Sequence, residues 1–465
     1  MTTWIDYLRH PSELKEVCQY KLFYTPLYQR RPDEETLNCR ECYELLIQTS
    51  RSFGRVIQEL RPELRKSVMV FYLVLRGLDT IEDDMKLDSK KKNELLRMFY
   101  THIDEKGWKF SESSLSAKDG VLLRSFDKVI EEFLLLSKEN QDIIRSITYE
   151  MGNGMADFIK NAHFKTQGIQ SIRDYNLYCY YVAGLVGEGL NRLFVINKIE
   201  HDLEGLTELS HTMGLFLQKT NIIRDYREDL HQQRMFWPKE VWSKYVDNFI
   251  DFLAPENQEK GLHCLSEMIL DALTHVPDCL YYLCSLHDQS VFNFCAIPQS
   301  MAIATLALVF RNPNIFRKNL KIRKGEACSL IMRTTNRRNL CALFLKYIRI
   351  IHQKNTPSDP NFFKISVACG KIEQWVESVF PSDKSSVSIC SQKPLREGST
   401  DSIMDKDALY ILIISSIFLT IIASLMIYLA HLFGAKWNFS QVYKIFDFLK
   451  SIFSDTLSVV KRDEM

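Results

Sequence analysis

The chain has 465 residues, with 59 Lys or Arg against 58 Asp or Glu and a net charge of +1. That balance excludes a nucleic-acid binder, whose basic surface would show as an excess of cations. The length allows one large or two ordinary domains with a substantial core.

The start, Met1-Thr2-Thr3-Trp4-Ile5-Asp6, lacks the basic opening and apolar run of a signal peptide, so this part of the chain is expected in the cytosol. The 12 cysteines are scattered, and Cys39 and Cys42 have no second Cys-x-x-Cys pair to complete a zinc site, so they read as reduced thiols, mostly in the core. From about Arg40 to Phe380, long apolar segments with helical periodicity and few prolines predict an all-α domain of many helices. Ser50-Arg51-Ser52-Phe53-Gly54 carries hydroxyls and a guanidinium suited to a phosphate oxygen. The same residues also fit a helix cap or a turn.

The stretch from Phe71 to Asp84 predicts a helix that is apolar nearly all round. Asp79, Glu82 and Asp83, at i, i+3 and i+4, fall on one face with Arg76 and Tyr72. Such a helix cannot leave three carboxylates unpartnered, so a cation should meet them. From about Asn93 to Ser116 the chain turns polar and is expected to form loops around short helices. The glycines in Met151-Gly152-Asn153-Gly154-Met155 and in Gly184 to Gly189 follow no predicted strand, so a dinucleotide fingerprint fails. They suit close helix approach or a kink. Tyr178 and Tyr181, one turn apart, could offer phenols to a common space or pack in the core.

A second acidic copy follows in Asp225-Tyr226-Arg227-Glu228-Asp229, with Asn221 and Gln218 continuing its stripe at i−4 and i−7. Arg234 and Phe236-Trp237-Pro238 come next. In Phe292 to Pro298 the proline is expected to kink or start a helix. Lys321-Ile322-Arg323-Lys324-Gly325 is a compact basic loop, either simply solvated or suited to the phosphates of a soluble anion.

Residues 381–407 are rich in Ser, Lys, Asp and Pro and read as a flexible linker after a catalytic domain of residues 1–380. Leu409 to Ala430 holds no charged residue, and about 20 apolar residues cross a bilayer, so residues 408–433 are predicted to span a membrane. The tail, 434–465, is amphipathic and suits an interfacial helix. Flanking cations give no orientation: Lys393, Arg396 and Lys406 stand before the span and Lys436, Lys444 and Lys450 after it. With the large domain cytosolic, Asn438-Phe439-Ser440 would be a lumenal glycosylation sequence close to the bilayer.

Two facing carboxylate clusters suit Mg²⁺, a hard ion that shares its oxygen ligands between protein and substrate phosphate. In an apolar helical domain, metal-held diphosphate points to ionisation of an allylic diphosphate. The walls must then tolerate a carbocation without attacking it, and Phe53, Tyr72, Phe292 and Phe294 are candidates for such a lining.

These motifs, taken in order, resemble those of the eukaryotic, membrane-anchored squalene synthase family. They are Tyr72, Arg76 and Asp79 to Asp83; Tyr178 through Gly187; Gln218 to Asp229 with Phe236-Trp237-Pro238; and Phe292 to Pro298. The resemblance covers roughly residues 35–350. It implies an isoprenoid-synthase helical bundle with a central cavity and a C-terminal membrane span, monomeric and resident in the endoplasmic reticulum. It also implies the chemistry: two farnesyl diphosphates condense to presqualene diphosphate, which NADPH then reduces to squalene. Carried over by position, Asp79, Glu82, Asp83, Asp225 and Asp229 would hold Mg²⁺, assisted by Asn221 and Gln218. Ser50, Arg51, Arg76, Arg224 and Arg234 would bind diphosphate, with Phe53, Tyr72, Gln218 and Asn221 also at the substrate. Tyr178 would act in the first half-reaction as base or cation stabiliser, and Phe294 would line the pocket of the second. Lys321, Arg323 and Lys324 match a mobile segment linked to the NADPH-dependent step. Arg227 occupies a variable position. Phytoene synthase, which needs no reductant, and a catalytically dead relative are the rival readings; the intact acidic clusters oppose the second.

Overall fold

The computed structural model describes residues 11–84, 86–112, 120–160, 168–201 and 203–381. The expected linker from residue 382 on, the span and the tail therefore lie outside the described residues. The site is built within one compact unit, Glu16–Lys393. Every regular element among the described residues is helical, as the periodicity predicts.

The helices that matter here are α1 (Leu37–Thr49), α2 (Arg51–Gln58), α3 (Pro62–Asp83), α4 (Ser89–His102), α5 (Lys138–Lys160), α6 (Ile172–Cys179), α7 (Leu185–Ile196), α8 (Thr207–Arg224), α9 (Tyr226–His231), α10 (Gln258–Leu273), α11 (Val276–Ser285), α12 (Gln289–Val309), α13 (Lys324–Arg333), α14 (Arg337–Lys354) and α15 (Phe362–Val379). Side-chain oxygens set many of their starts. Thr36 accepts from the Cys39 amide at 3.1 Å, Ser171 from Asp174 at 3.0 Å, Asp288 from Ser290 at 2.8 Å and Asn336 from Asn339 at 2.9 Å. Pro62 opens α3, where its missing N–H costs nothing.

Two long helices organise the core. α3 is enclosed by α1, α4, α5 and α7, and buries Val68, Met69, Val70, Phe71, Leu73, Val74, Leu75, Leu78 and Ile81. Each such side chain contributes about 1.5–3 kcal/mol of transfer free energy, so α3 is fixed by its burial. α8 is packed by α6, α7, α10, α11 and α12, and α7 touches both central helices.

The glycines act through close approach. A Cβ at Gly187 would lie 2.0 Å from the Ser210 carbonyl oxygen, and one at Gly154 would meet the Tyr181 ring at 2.2 Å. Two expectations need correction. The polar stretch from Asn93 begins inside α4, a full helix packed along α5; its buried Leu96 and Phe99 are enough to seat it. Pro298, expected to kink or start a helix, does not start one: it stands inside α12. Burial of Phe292, Phe294, Ile297 and Ile303 on all sides of that helix outweighs the lost hydrogen bond. α12 is also apolar and long enough to cross a membrane, but it is mostly buried within the protein and reads as a core helix.

Candidate active site

On α3, burial is complete from Ser67 to Phe71, and from there to Ile81 only Tyr72, Arg76 and Asp79 remain partly open, followed by Glu82 and Asp83. The stripe drawn from helical spacing is therefore the helix's one open face. Its acids stand at the C-terminal end, against the helix dipole and with no basic residue in the last turn. Three cations offset this arrangement: Arg76 pairs with Asp79, Arg234 pairs with Asp83, and Lys92 of α4 donates from Nζ to the Glu82 carbonyl oxygen at 2.8 Å. Lys92 is not among the residues the sequence motifs single out, because its contact with Glu82 joins two separate helices. A lysine one helix beyond an acidic helix end was the available signal.

The second cluster is built differently. α8 ends at Arg224, Asp225 is the joint (φ −92°, ψ 14°), and α9 restarts at Tyr226. The Asp229 amide still donates to the Asp225 carbonyl oxygen at 2.9 Å, so the two aspartates keep their one-turn spacing across the joint. Arg224 Nε donates to Asp225 at 2.7 Å. Gln218 and Asn221 lie on α8 ahead of them, Gln218 half-buried and Asn221 exposed.

Arg234 unites the two clusters. One of its terminal nitrogens reaches Asp83 on α3, and the other donates to Asp229 on α9 at 3.2 Å. Its buried Nε has no hydrogen-bond partner, a spare donor inside the site. The electrostatics show too little positive charge for the acids assembled. Burial, reinforced by Asp83, pushes the Asp79 carboxyl up to about 6 against the pull of Arg76 and Arg234. Burial with Asp83 and Asp79 pushes Glu82 up to about 8, and burial, opposed by Arg234 but reinforced by Asp225 and Asp83, pushes Asp229 up to about 7. Burial works to lower the Arg234 guanidinium, yet Asp83, Asp229 and Glu82 together hold it above its usual value. The Asp79 side chain is nevertheless 32 % exposed. A carboxylate that is both wetted and desolvated by surrounding protein lines a recess.

Aromatic residues continue that recess. The Phe53 and Tyr72 rings lie 5.8 Å apart. Ser50 caps α2 by accepting from the Phe53 amide at 3.2 Å, the cap reading of its sequence. The Arg51 side chain lies outside the described residues. Tyr178 stacks on Phe236 at 5.1 Å and meets the edge of Phe158 at 5.3 Å. Burial, then Glu82, Asp83 and Asp79, push its phenol well above the ordinary range. A π-helical turn, Tyr180–Gly184, then interrupts the helix. Tyr178 therefore sits near the acids, while Tyr181 packs on Gly154 and Phe158. Phe292 and Phe294 are buried, and Phe294 meets Phe194 edge-on at 6.3 Å.

The basic residues Lys321, Arg323 and Lys324 are exposed. Two residues ahead of them, Asn319 donates to Glu228 of α9 at 2.9 Å, which fastens the loop to the second acidic cluster.

Among the described residues no three His, Cys, Asp or Glu side chains close around one point. The aspartates are instead held apart by arginines. The donor set is oxygen only and short of positive charge, and it fits a hard divalent cation rather than zinc.

Residues 46–326 match the profile of the squalene/phytoene synthase family. The chain belongs to that family. It is 50 % identical over 436 residues to a probable squalene synthase of Neurospora crassa, covering 93 % of this chain and 90 % of that protein. It is 51 % identical over 405 residues to a squalene synthase of Schizosaccharomyces pombe, covering 85 % and 88 %. Among solved structures, TcSQS in complex with the ligand E5700 superposes with a TM-score of 0.71 at 38 % identity, covering 74 % of this chain and 99 % of that one. The all-helical fold is thus that of squalene synthases, and the chain is an enzyme of the squalene synthase type.

Proposed function

We propose that the protein converts two farnesyl diphosphates, through presqualene diphosphate, to squalene, using Mg²⁺ and NADPH. In this reading it acts as a monomer at the endoplasmic reticulum membrane, anchored by a single C-terminal span with its catalytic domain in the cytosol. The observation that carries the proposal is the Arg234 bridge between Asp83 and Asp229, which puts both acidic clusters on one recess.

Asp79, Glu82, Asp83, Asp225 and Asp229, with Asn221 and Gln218, would hold the metal. Bound Mg²⁺ neutralises the charge that gathers on a departing diphosphate. Arg76, Arg224 and Arg234, now occupied by carboxylates, would turn to diphosphate oxygens, and the Arg234 Nε is already available. Ser50 and Arg51 would receive the same group at the start of α2.

In the first half-reaction one C1–O bond would break with release of diphosphate, C1 would join the second chain, and the released diphosphate would take the proton whose loss closes the cyclopropane. Tyr178, with its phenol held protonated, supports the cation with its ring face and the adjacent Phe236 and Phe158 rings. In the second half-reaction the remaining C–O bond would break, and NADPH would supply the hydride that the rearranged cation needs. Phe294 would line that stage. Lys321, Arg323 and Lys324 would meet the phosphates of NADPH beside the second cluster, where Asn319 holds the loop. Apolar walls exclude the water that would otherwise trap either cation.

The test is product analysis of the purified full-length protein given farnesyl diphosphate with and without Mg²⁺ and NADPH. Squalene should form only with both, and presqualene diphosphate should accumulate with Mg²⁺ alone. Phytoene-type hydrocarbon without reductant, or no turnover at all, would overturn the proposal.

A further inference from the structure

α15 is the last helix described before the predicted anchor, and its two faces differ sharply. Ile365, Cys369, Ile372 and Val376 are buried against α10, α11 and α14. The opposite stripe, Phe363, Val367, Gly370, Lys371, Gln374 and Ser378, is exposed. Phe363 is 76 % exposed and Val367 40 %, one turn apart on the same side. Lys364 and Lys371 flank this apolar pair, and the one acid on the outward side, the half-buried Glu377, lies more than two turns further on, near the helix end. Glu373 stands to its side, 3.8 Å from Arg349 of α14. An exposed phenylalanine and valine between lysines on a surface helix have the make-up of an interfacial element, with side chains for the acyl boundary and cations for anionic headgroups.

The position in the chain selects the occupant. About 30 residues separate Val379 from the start of the predicted span at Leu409, and a flexible linker of that length has an r.m.s. reach of about 30 Å. With residues 381–407 read as the flexible linker their composition predicts, α15 would be confined near the membrane that holds the span. At the resulting effective concentration, a face too weak to bind alone is enough. The substrates carry farnesyl chains and the product is a hydrocarbon, so a domain held against the bilayer stays beside its reactants.

We propose that the outward face of α15, Phe363 and Val367 between Lys364 and Lys371, docks on the anionic surface of the membrane in which the chain is anchored. This rests on reading Leu409 to Ala430 as a span.

The full chain, reconstituted into vesicles of phosphatidylcholine with or without phosphatidylserine, tests it. A benzophenone side chain is placed at position 363 or at position 135, where Leu135 is comparably exposed (67 %) beyond the helix Phe126–Leu134. On illumination, lipid adducts should form several-fold more at 363 than at 135. They should fall several-fold without phosphatidylserine or with Lys364→Glu and Lys371→Glu. Equal labelling at the two positions would overturn the proposal. A crosslink from 363 to a second copy of the chain would do the same by making the face a dimer surface. Alkaline carbonate extraction of the same vesicles reads the anchor separately. Retained protein without a 363 adduct refutes the docking alone, whereas extracted protein refutes the span and with it the tethering on which docking depends.

Discussion

Arg234 and Asp83, 151 positions apart in sequence, form an ion pair that closes the end of α3 onto the segment following α9. The guanidinium also holds Asp229, so it occupies the place between the clusters where a metal-bound diphosphate is proposed to sit. Removing it should leave two desolvated carboxylates facing each other. We expect Arg234→Met to lower the stability of the metal-free protein by about 1–3 kcal/mol, discounted from a fully buried pair because both partners are partly wetted. Thermal unfolding with and without Mg²⁺ and inorganic diphosphate checks this, and the deficit should shrink when both are added. A deficit of the same size under both conditions would mean that Arg234 only braces the fold.

The acids themselves predict a pH dependence. Asp79, Asp229 and Glu82 stand near 6, 7 and 8, above their ordinary values of about 4. The folded protein therefore binds more protons than the unfolded chain between about pH 4 and pH 8, so their contribution makes stability fall as pH rises through that window. Titrations of the metal-free protein should show this slope, and saturating Mg²⁺ should flatten it. Because the carboxyls must lose protons to bind metal, calorimetry should find proton release on Mg²⁺ binding near pH 6.5 and less near pH 8.5.

Asp79→Asn and Asp225→Asn keep size and hydrogen bonding but remove one charge from each cluster. Each should reduce squalene formation by about 10²-fold or more with circular dichroism unchanged, and neither should recover at saturating Mg²⁺. A near-normal rate from either protein would remove that aspartate from the metal site.

What could be read from the chain alone follows from where the information lies. The α3 stripe was legible because Tyr72, Arg76, Asp79 and Asp83 repeat at helical spacing inside an apolar run, and such a run has one polar face. The joint at Asp225 was not, since nothing local to Ile223-Arg224-Asp225-Tyr226 breaks a helix; Tyr226, packed among Trp237, Phe249 and Phe316, turns the chain there. The Arg234 bridge and the Lys92 contact to Glu82 are tertiary, and no periodicity within one segment encodes them. The course of α12 through Pro298 is likewise decided by packing against propensity.

The basic loop allows a test that separates the two half-reactions. Lys321→Ala with Arg323→Ala should leave formation of presqualene diphosphate within about two-fold, because these side chains are exposed on the loop beyond α12, and should slow the reductive step by about 10-fold or more. Asn319→Ala, which frees the loop from Glu228, should act in the same direction but more weakly. Single-turnover measurements that resolve both products decide it. Equal slowing of both steps would show that the loop serves the whole site.

The close passage of α7 over α8 should tolerate no side chain at Gly187. A Cβ there would stand 2.0 Å from the Ser210 carbonyl oxygen, which is backbone and cannot rotate away. Relief requires α7 to lift from α8, and α7 continues the π-helical turn that follows Tyr178. Gly187→Ala is therefore expected to cost about 2–4 kcal/mol, in the upper range for overpacking, and to slow the first half-reaction by displacing Tyr178. Gly370→Ala, on the exposed face of α15 where a Cβ meets nothing within 4 Å, is the control and should be neutral or slightly stabilising. Denaturant melts of the two proteins should differ accordingly. If both remain as stable as the parent, the helices have room to part, and the spacing of α7 and α8 does not hold Tyr178 in place.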